Sequence, residues 1–300
     1  MNKGKLFWFL IFLFLILSSV QNLTAYEVGS FFTLGNLSLD PAGTPSEGYP
    51  WGLNLEGAQA ISDNLSVKVG YNFDPLLKHL VYTLFYYREE YFSLGIGPFF
   101  GVFNAPGSFL KSGISTSVQL EFPGVAFLGF RGDSSIGGRF AQTGDYLQER
   151  NDLFVGFYVY NAICSVNLLN KRYLEKTATG EGADISTEYS FKTDLYMKNT
   201  PYRILLTFGF EDLKRILTNT TTQTTDTYNL GSIILGTKVT IKFSPIISFV
   251  ADLTSSVYSF GFHKRQVGDA AEQTLGQNIT DGATKYYFRL STGVQIKTDL

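Results

Sequence analysis

Two histidines, one cysteine and scattered serines are the residues of this chain that could support nucleophilic or acid–base chemistry. His79 lies in DPLLKHLV, close to Asp74 and Lys78, and His263 lies in GFHKRQVGD. A hydrolase needs a nucleophile, a base and an orienting acid that converge. No serine has the strand–turn–helix setting of an esterase elbow, and GFRGDSSIGGR suits a flexible loop at least as well as a phosphate cradle. Asp40, Asp133, Asp145 and Asp281 lack the spacing that wraps calcium. Cys164, alone in the chain, supports neither an intrachain disulfide nor a thiolate cluster, and reads as a small apolar filler. The expectation is no enzyme, no metal and no cofactor.

A second set of polar residues has a regular spacing. Lys68, Glu121, Arg131, Glu188, Lys192, Asp194, Arg203, Glu211, Lys238, Asp252 and Arg289 fall on the polar face of segments that alternate with a period of two. In SGISTSVQLEF, Ile114, Thr116, Val118, Leu120 and Phe122 share one face, while Gly113, Ser115, Ser117, Gln119 and Glu121 share the other. DISTEYSFKTDLYM repeats the pattern. Burying so many charges in a dry core would be prohibitive without pairing. They are therefore expected to line a watery interior, as a salt-bridge network or as the wall of a polar pore. Charges of both signs argue against the one-sign rings of a strongly ion-selective filter.

The elements that must carry these residues are strands. Candidates are Glu27–Leu39, Trp51–Ala60, Leu65–Phe73, Leu80–Arg88, Tyr91–Phe103, Ser112–Phe122, Val125–Asp133, Asp152–Tyr160, Ala162–Lys171, Ile185–Met197, Tyr202–Leu213, Tyr228–Phe243, Ile246–Phe260 and Lys285–Thr298. The connections between them alternate long and short: DPAGTPSEGYP then ISDN, DPLLKH then EE, NAPGSFLK then PG, and onward through the chain. Antiparallel strands joined in this way place every long loop at one end and every tight turn at the other. Greek-key sandwiches have no reason to keep that order.

Composition bounds the surroundings. The chain is 300 residues long, 44% hydrophobic and 16% aromatic but only 17% charged. Soluble domains average about 25% charge. A net charge of −2 gives no basic footprint for nucleic acid. MNKGK followed by LFWFLIFLFLIL and SSVQNLTA reads as a secretory signal peptide, residues 1–25, preceding a single domain over 26–300. Tyr71, Phe73, Phe92, Phe122, Tyr189, Phe208, Phe210, Tyr286 and Phe288 fit the aromatic girdles of membrane interfaces. The expected fold is all-β, a transmembrane antiparallel up-and-down barrel of about 14 strands, within a range of 12–16.

From residue 26 onward the pattern resembles the outer-membrane β-barrel proteins of diderm bacteria. In KYYFRLSTGVQIKTDL, Ser291, Gly293, Ile296, Thr298 and Leu300 resemble the assembly signal read by the barrel-insertion machinery, without its usual terminal aromatic. The resemblance implies an outer-membrane location with both termini periplasmic and the long loops extracellular. Outer-membrane lipids and the assembly machinery would then be its partners. About fourteen strands is also a count similar to that of the long-chain fatty-acid transporters, but Tyr26 opens directly into a strand instead of a hatch. The expected function is a passive pore or transporter for small polar solutes. The alternatives are an adhesin or structural barrel presenting loops 134–151, 172–184 and 261–284, and a transporter of hydrophobic substrates.

Overall fold

The computed structural model describes residues 26–35, 51–102, 110–135, 146–177, 180–196, 200–276 and 288–298, and within them the period-two segments form strands joined by turns. The expected signal peptide and Leu300 lie outside them. The strands are β1 (Tyr26–Gly35), β2 (Trp51–Ala60), β3 (Leu65–Asp74), β4 (Lys78–Arg88), β5 (Phe92–Val102), β6 (Leu110–Phe122), β7 (Ala126–Ser134) and β8 (Tyr146–Val159). They continue with β9 (Ala162–Thr177), β10 (Gly180–Tyr196), β11 (Tyr202–Asn219), β12 (Thr224–Lys242), β13 (Ile247–Val267), β14 (Gln273–Gly276) and β15 (Phe288–Thr298).

Every strand from β1 to β13 pairs antiparallel with its neighbour in sequence, β13 pairs with β15, and β15 pairs with β1. Fourteen strands therefore close into a barrel, and β14 is a short addition beside the outer part of β13. The seam runs from Tyr26↔Thr298 to Gly35↔Arg289 without a register shift. Among the described residues, closure leaves each of the fourteen ring strands paired on both sides, so the ring itself offers no edge strand to template aggregation. Gly293 is required at this seam, because a methyl group there would overlap the Ser30 carbonyl oxygen and stand 2.7 Å from Phe31 Cα.

The two faces have opposite character. Outward side chains are apolar and open, as at Ile96 (61% exposed), Phe208 (59%) and Val166 (55%). Inward ones are mostly polar, and the largest departure is β4, which is apolar on both faces. Its Leu80, Tyr82 and Leu84 point inward and pack with Leu77, Phe99 and Tyr173 into a core that fills one side of the lumen. Tyr82 lies over Gly70 of the neighbouring strand, where any Cβ would collide with its ring. An apolar exterior around a polar, partly filled interior inverts the plan of a water-soluble barrel and suits a hydrocarbon surrounding.

Three expectations are corrected. Residues 172–177 and 180–184 are strand and not loop: the ladder runs unbroken from Thr177 down β9 and from Gly180 down β10. Likewise the threonine-rich tract 218–227, whose composition reads as a hydrated surface loop, is the head of a hairpin, with Thr218 paired to Thr225 and Asn219 to Thr224. Long antiparallel partners satisfied each other's backbone there despite turn-like composition. Strands β9 to β13 thus reach 16–21 residues, against 9–13 for β1 to β7.

The third correction concerns DPLLKH, which is not a long loop. Asp74 ends β3 and Lys78 begins β4, leaving Pro75, Leu76 and Leu77 as the turn. Asp74 Oδ1 accepts the amides of Leu76 at 2.9 Å and Leu77 at 3.0 Å, the Asp-Pro turn chemistry that closes a connection on itself. Lys78 adopts φ 62° and its Nζ donates to the Pro75 carbonyl at 2.7 Å.

Candidate functional site

The turn Pro75–Leu77 does not project from the barrel. Lys171 Nζ on β9 donates to Asp74 Oδ2 at 2.6 Å, and Gln148 Nε2 on β8 donates to the Leu77 carbonyl at 2.5 Å. In the ring, β9 stands six strands from β3. The turn therefore crosses the lumen to the far wall. Between it and the wall of β10, β11 and β15 lies a space of about 20 Å³, lined by Asp74, Leu76, Glu211, Arg215 and Arg289. That is room for one water.

Beneath the turn the lumen opens into a vestibule of about 1170 Å³. It reaches from Asp74, Pro75 and Leu77 down to Pro201, Tyr202, Pro245 and Ile246, residues of the short-turn end. Strands β5, β6 and β7 contribute nothing to its wall, because their side of the barrel is the filled one.

Register places the charged residues singled out above on the inner face. Glu188, Lys192, Asp194, Arg203, Lys238, Asp252 and Arg289 line the vestibule. Lys68 reaches it through Glu56, at 3.1 Å. Glu211 accepts from Ser186 Oγ at 2.8 Å beside the small space above the turn, and sits directly across from Glu188. Arg131 and Glu121 belong to the filled side. Arg131 lies 4.5 Å from the centre of the Tyr82 ring and 3.4 Å from Asp133, and Glu121 accepts from Gln119 at 2.9 Å and from the Tyr158 hydroxyl. Gly293, Ile296 and Thr298 lie in the seam, where Ile296 pairs with Val28 and Thr298 Oγ1 accepts the Tyr26 amide at 3.2 Å.

No protein-family model matches the chain, and no curated protein sequence matches it. Solved structures do. The chain is similar to outer-membrane proteins. An anion-selective porin from Comamonas acidovorans is 11% identical at a TM-score of 0.38, covering 92% of this chain and 99% of that one. A bacterial polysaccharide outer membrane secretin is 11% identical at 0.45, covering 93% and 100%. An outer membrane channel from Pseudomonas putida F1 is 8% identical at 0.39, covering 93% and 97%. The barrel itself rests on the strand register of this chain, and no activity is drawn from these proteins.

The two histidines have local partners. His79 Nδ1 lies 2.8 Å from the Tyr71 hydroxyl, and its ring stacks with that of Tyr71. His263 meets Asp226 Oδ1 at 2.7 Å and stacks on Tyr228 with ring centroids 4.3 Å apart. Arg265 Nε also donates to Asp226, at 2.8 Å. On β12 Asp226 stands ten residues before Gly236, which is level with Gly35 at the end of β1, so the cluster lies beyond that end of the ring. Burial alone would raise the Asp226 carboxyl, but the Arg265 and His263 hydrogen bonds outweigh it and hold the group below the usual carboxylate range.

Sequence reading missed the residues that tie the turn across the lumen. Asp74, Gln148 and Lys171 make the crossing, and nothing in their local spacing joins positions so far apart. Phe73, expected at a membrane interface, instead lines the vestibule over Gly52. One signal was available: LVYTLFYY is apolar at successive positions, as only a strand buried on both faces should be.

Proposed function

We propose that the protein is an outer-membrane barrel that passes small polar solutes through a lumen held shut by the β3–β4 turn. The observation that carries this reading is a charged vestibule, open at the short-turn end, that stops at a turn tied across the lumen by one ion pair. The short-turn end, where Tyr26 and Thr298 meet, faces the periplasm, and the long hairpins face outward from the cell. Lipids and the barrel-assembly machinery are its envelope partners, and no catalysis is assigned to it. Planar-bilayer recording tests the reading. Rare or small conductance steps are expected from the wild type and larger, frequent ones from Asp74→Ala. Silence from both would sink it.

A second reading is supported by the extended hairpins of β9 to β13, which give a binding protein ample surface. Excision of residues 214–229 with a short turn replacement separates the two. A pore keeps its conductance, whereas an adhesin loses its attachment to cells or envelope material.

A further inference from the structure

The vestibule wall is unevenly charged once its ion pairs are taken into account. Cationic side chains outnumber carboxylates on it, eight to six. Asp74 is matched by Lys171 at 2.6 Å and Asp194 by Arg203 through two bonds of 2.7 and 2.5 Å. Glu56 is matched by Lys68, a residue outside the vestibule lining, and Glu27 accepts from Gln295. Among the described residues, Arg289, Lys192, Lys238 and Lys242 make no ion pair, and the carboxylates left facing these four cations are Glu188, Asp252 directly across from Lys238, and Glu211 beside Arg289 above the turn.

The position of this surplus is specific. Arg289, Thr254, Gly236, Thr207 and Lys192 follow one another across β15, β13, β12, β11 and β10 as direct cross-strand partners through Lys192↔Thr207↔Gly236↔Thr254↔Arg289. Lys238 stands two residues on from Gly236, on the same face. Two cations thus flank a row carrying two hydroxyl donors and a glycine without a side chain. Four inter-strand steps make the row about 19 Å long. That is too wide for one small ion to touch both ends at once. A charged wall of low dielectric focuses its field into the enclosed water.

We propose that the solutes taken by this vestibule are small anions bearing a carboxylate or phosphate group. The inference rests on the passage reading above and adds the sign of the solute. It is tested with the full mature barrel, wild type and Asp74→Ala, in planar bilayers under a gradient of KCl and then of potassium phosphate. Reversal potentials are expected on the anion side in both salts. Lys192→Gln/Lys238→Gln/Arg289→Gln should bring the anion-to-cation permeability ratio down several-fold toward one, with heat-modifiability on gels showing that the variant still closes. If it does not close, Lys192→Gln and Lys238→Gln singly are read instead. Conductance with a potassium preference would overturn the inference and leave the passage standing, as would a ratio unmoved by the variants. Absence of conductance in both the wild type and Asp74→Ala removes the passage reading and this inference with it.

Discussion

Lys171 and Asp74 meet at 2.6 Å although their strands stand six apart in the ring. Lys171 is 7% exposed, and Asp74 also accepts two backbone amides of its own turn. One carboxylate therefore both shapes the turn and holds it to the opposite wall.

Removing that carboxylate strands a cation. Asp74→Ala is expected to cost roughly 3–5 kcal/mol, the usual penalty for breaking a buried pair, and less to the extent that vestibule water reaches Lys171. Asp74→Ala/Lys171→Met should recover part of this loss, since it leaves no uncompensated charge. Urea midpoints of the refolded barrel measure both. A double variant no more stable than the single one would show that the pair does not hold the turn.

The seam depends on a missing side chain. Gly293→Val should prevent or slow closure, because its Cβ would meet the Ser30 carbonyl and the Phe31 backbone. Gly182→Ala is the control, with nothing nearer to the new methyl than Leu217 Cδ2 at 3.7 Å. Electrophoretic mobility before and after heating reads closure. Equal behaviour of the two variants would contradict the seam geometry.

Neighbouring residues on β11 separate the faces. Phe208 is 59% exposed on the exterior, whereas Thr207 lines the vestibule. In lipid, Phe208→Arg should cost about 2–4 kcal/mol if the site lies near mid-bilayer. Thr207→Arg should cost much less while changing conductance. Unfolding in liposomes measures the difference, and comparable costs would argue against a lipid-facing exterior.

The head of the β11–β12 hairpin, with β13 alongside it, should respond to acid. Asp226 has a carboxyl pKa below its ordinary value, so its contribution is complete above the unfolded value near 3.8 and is lost as pH falls through the folded one. Amide exchange at residues 224–228 is expected to stay slow at pH 6 and to accelerate relative to the barrel wall below about pH 4, after correction for intrinsic rates. Asp226→Asn should exchange fast at both. A head equally protected throughout would remove the cluster's structural role.

Much of the wall was readable because a strand declares its two faces locally. Thr187, Tyr189 and Phe191 alternate with Ser186, Glu188 and Ser190, and the pairing of β10 follows from that. Hairpin length was not readable. Residues 172–184 carry the charge, glycine and threonine of a loop, and two long partners in register make 172–177 and 180–184 strand. The crossing turn was the least visible part. Its bonds join Asp74 to Lys171 and Leu77 to Gln148, and such pairings exist only after the ring has closed.

The seam has one more consequence. The amide of Tyr26 bonds to Thr298, so the two ends of the barrel sequence are spatial neighbours and the break between them is one interval among fourteen. Where the covalent chain is interrupted is then incidental to the architecture. A circular permutant that links these ends by a short turn and begins instead at Asn161 should fold to the same ring.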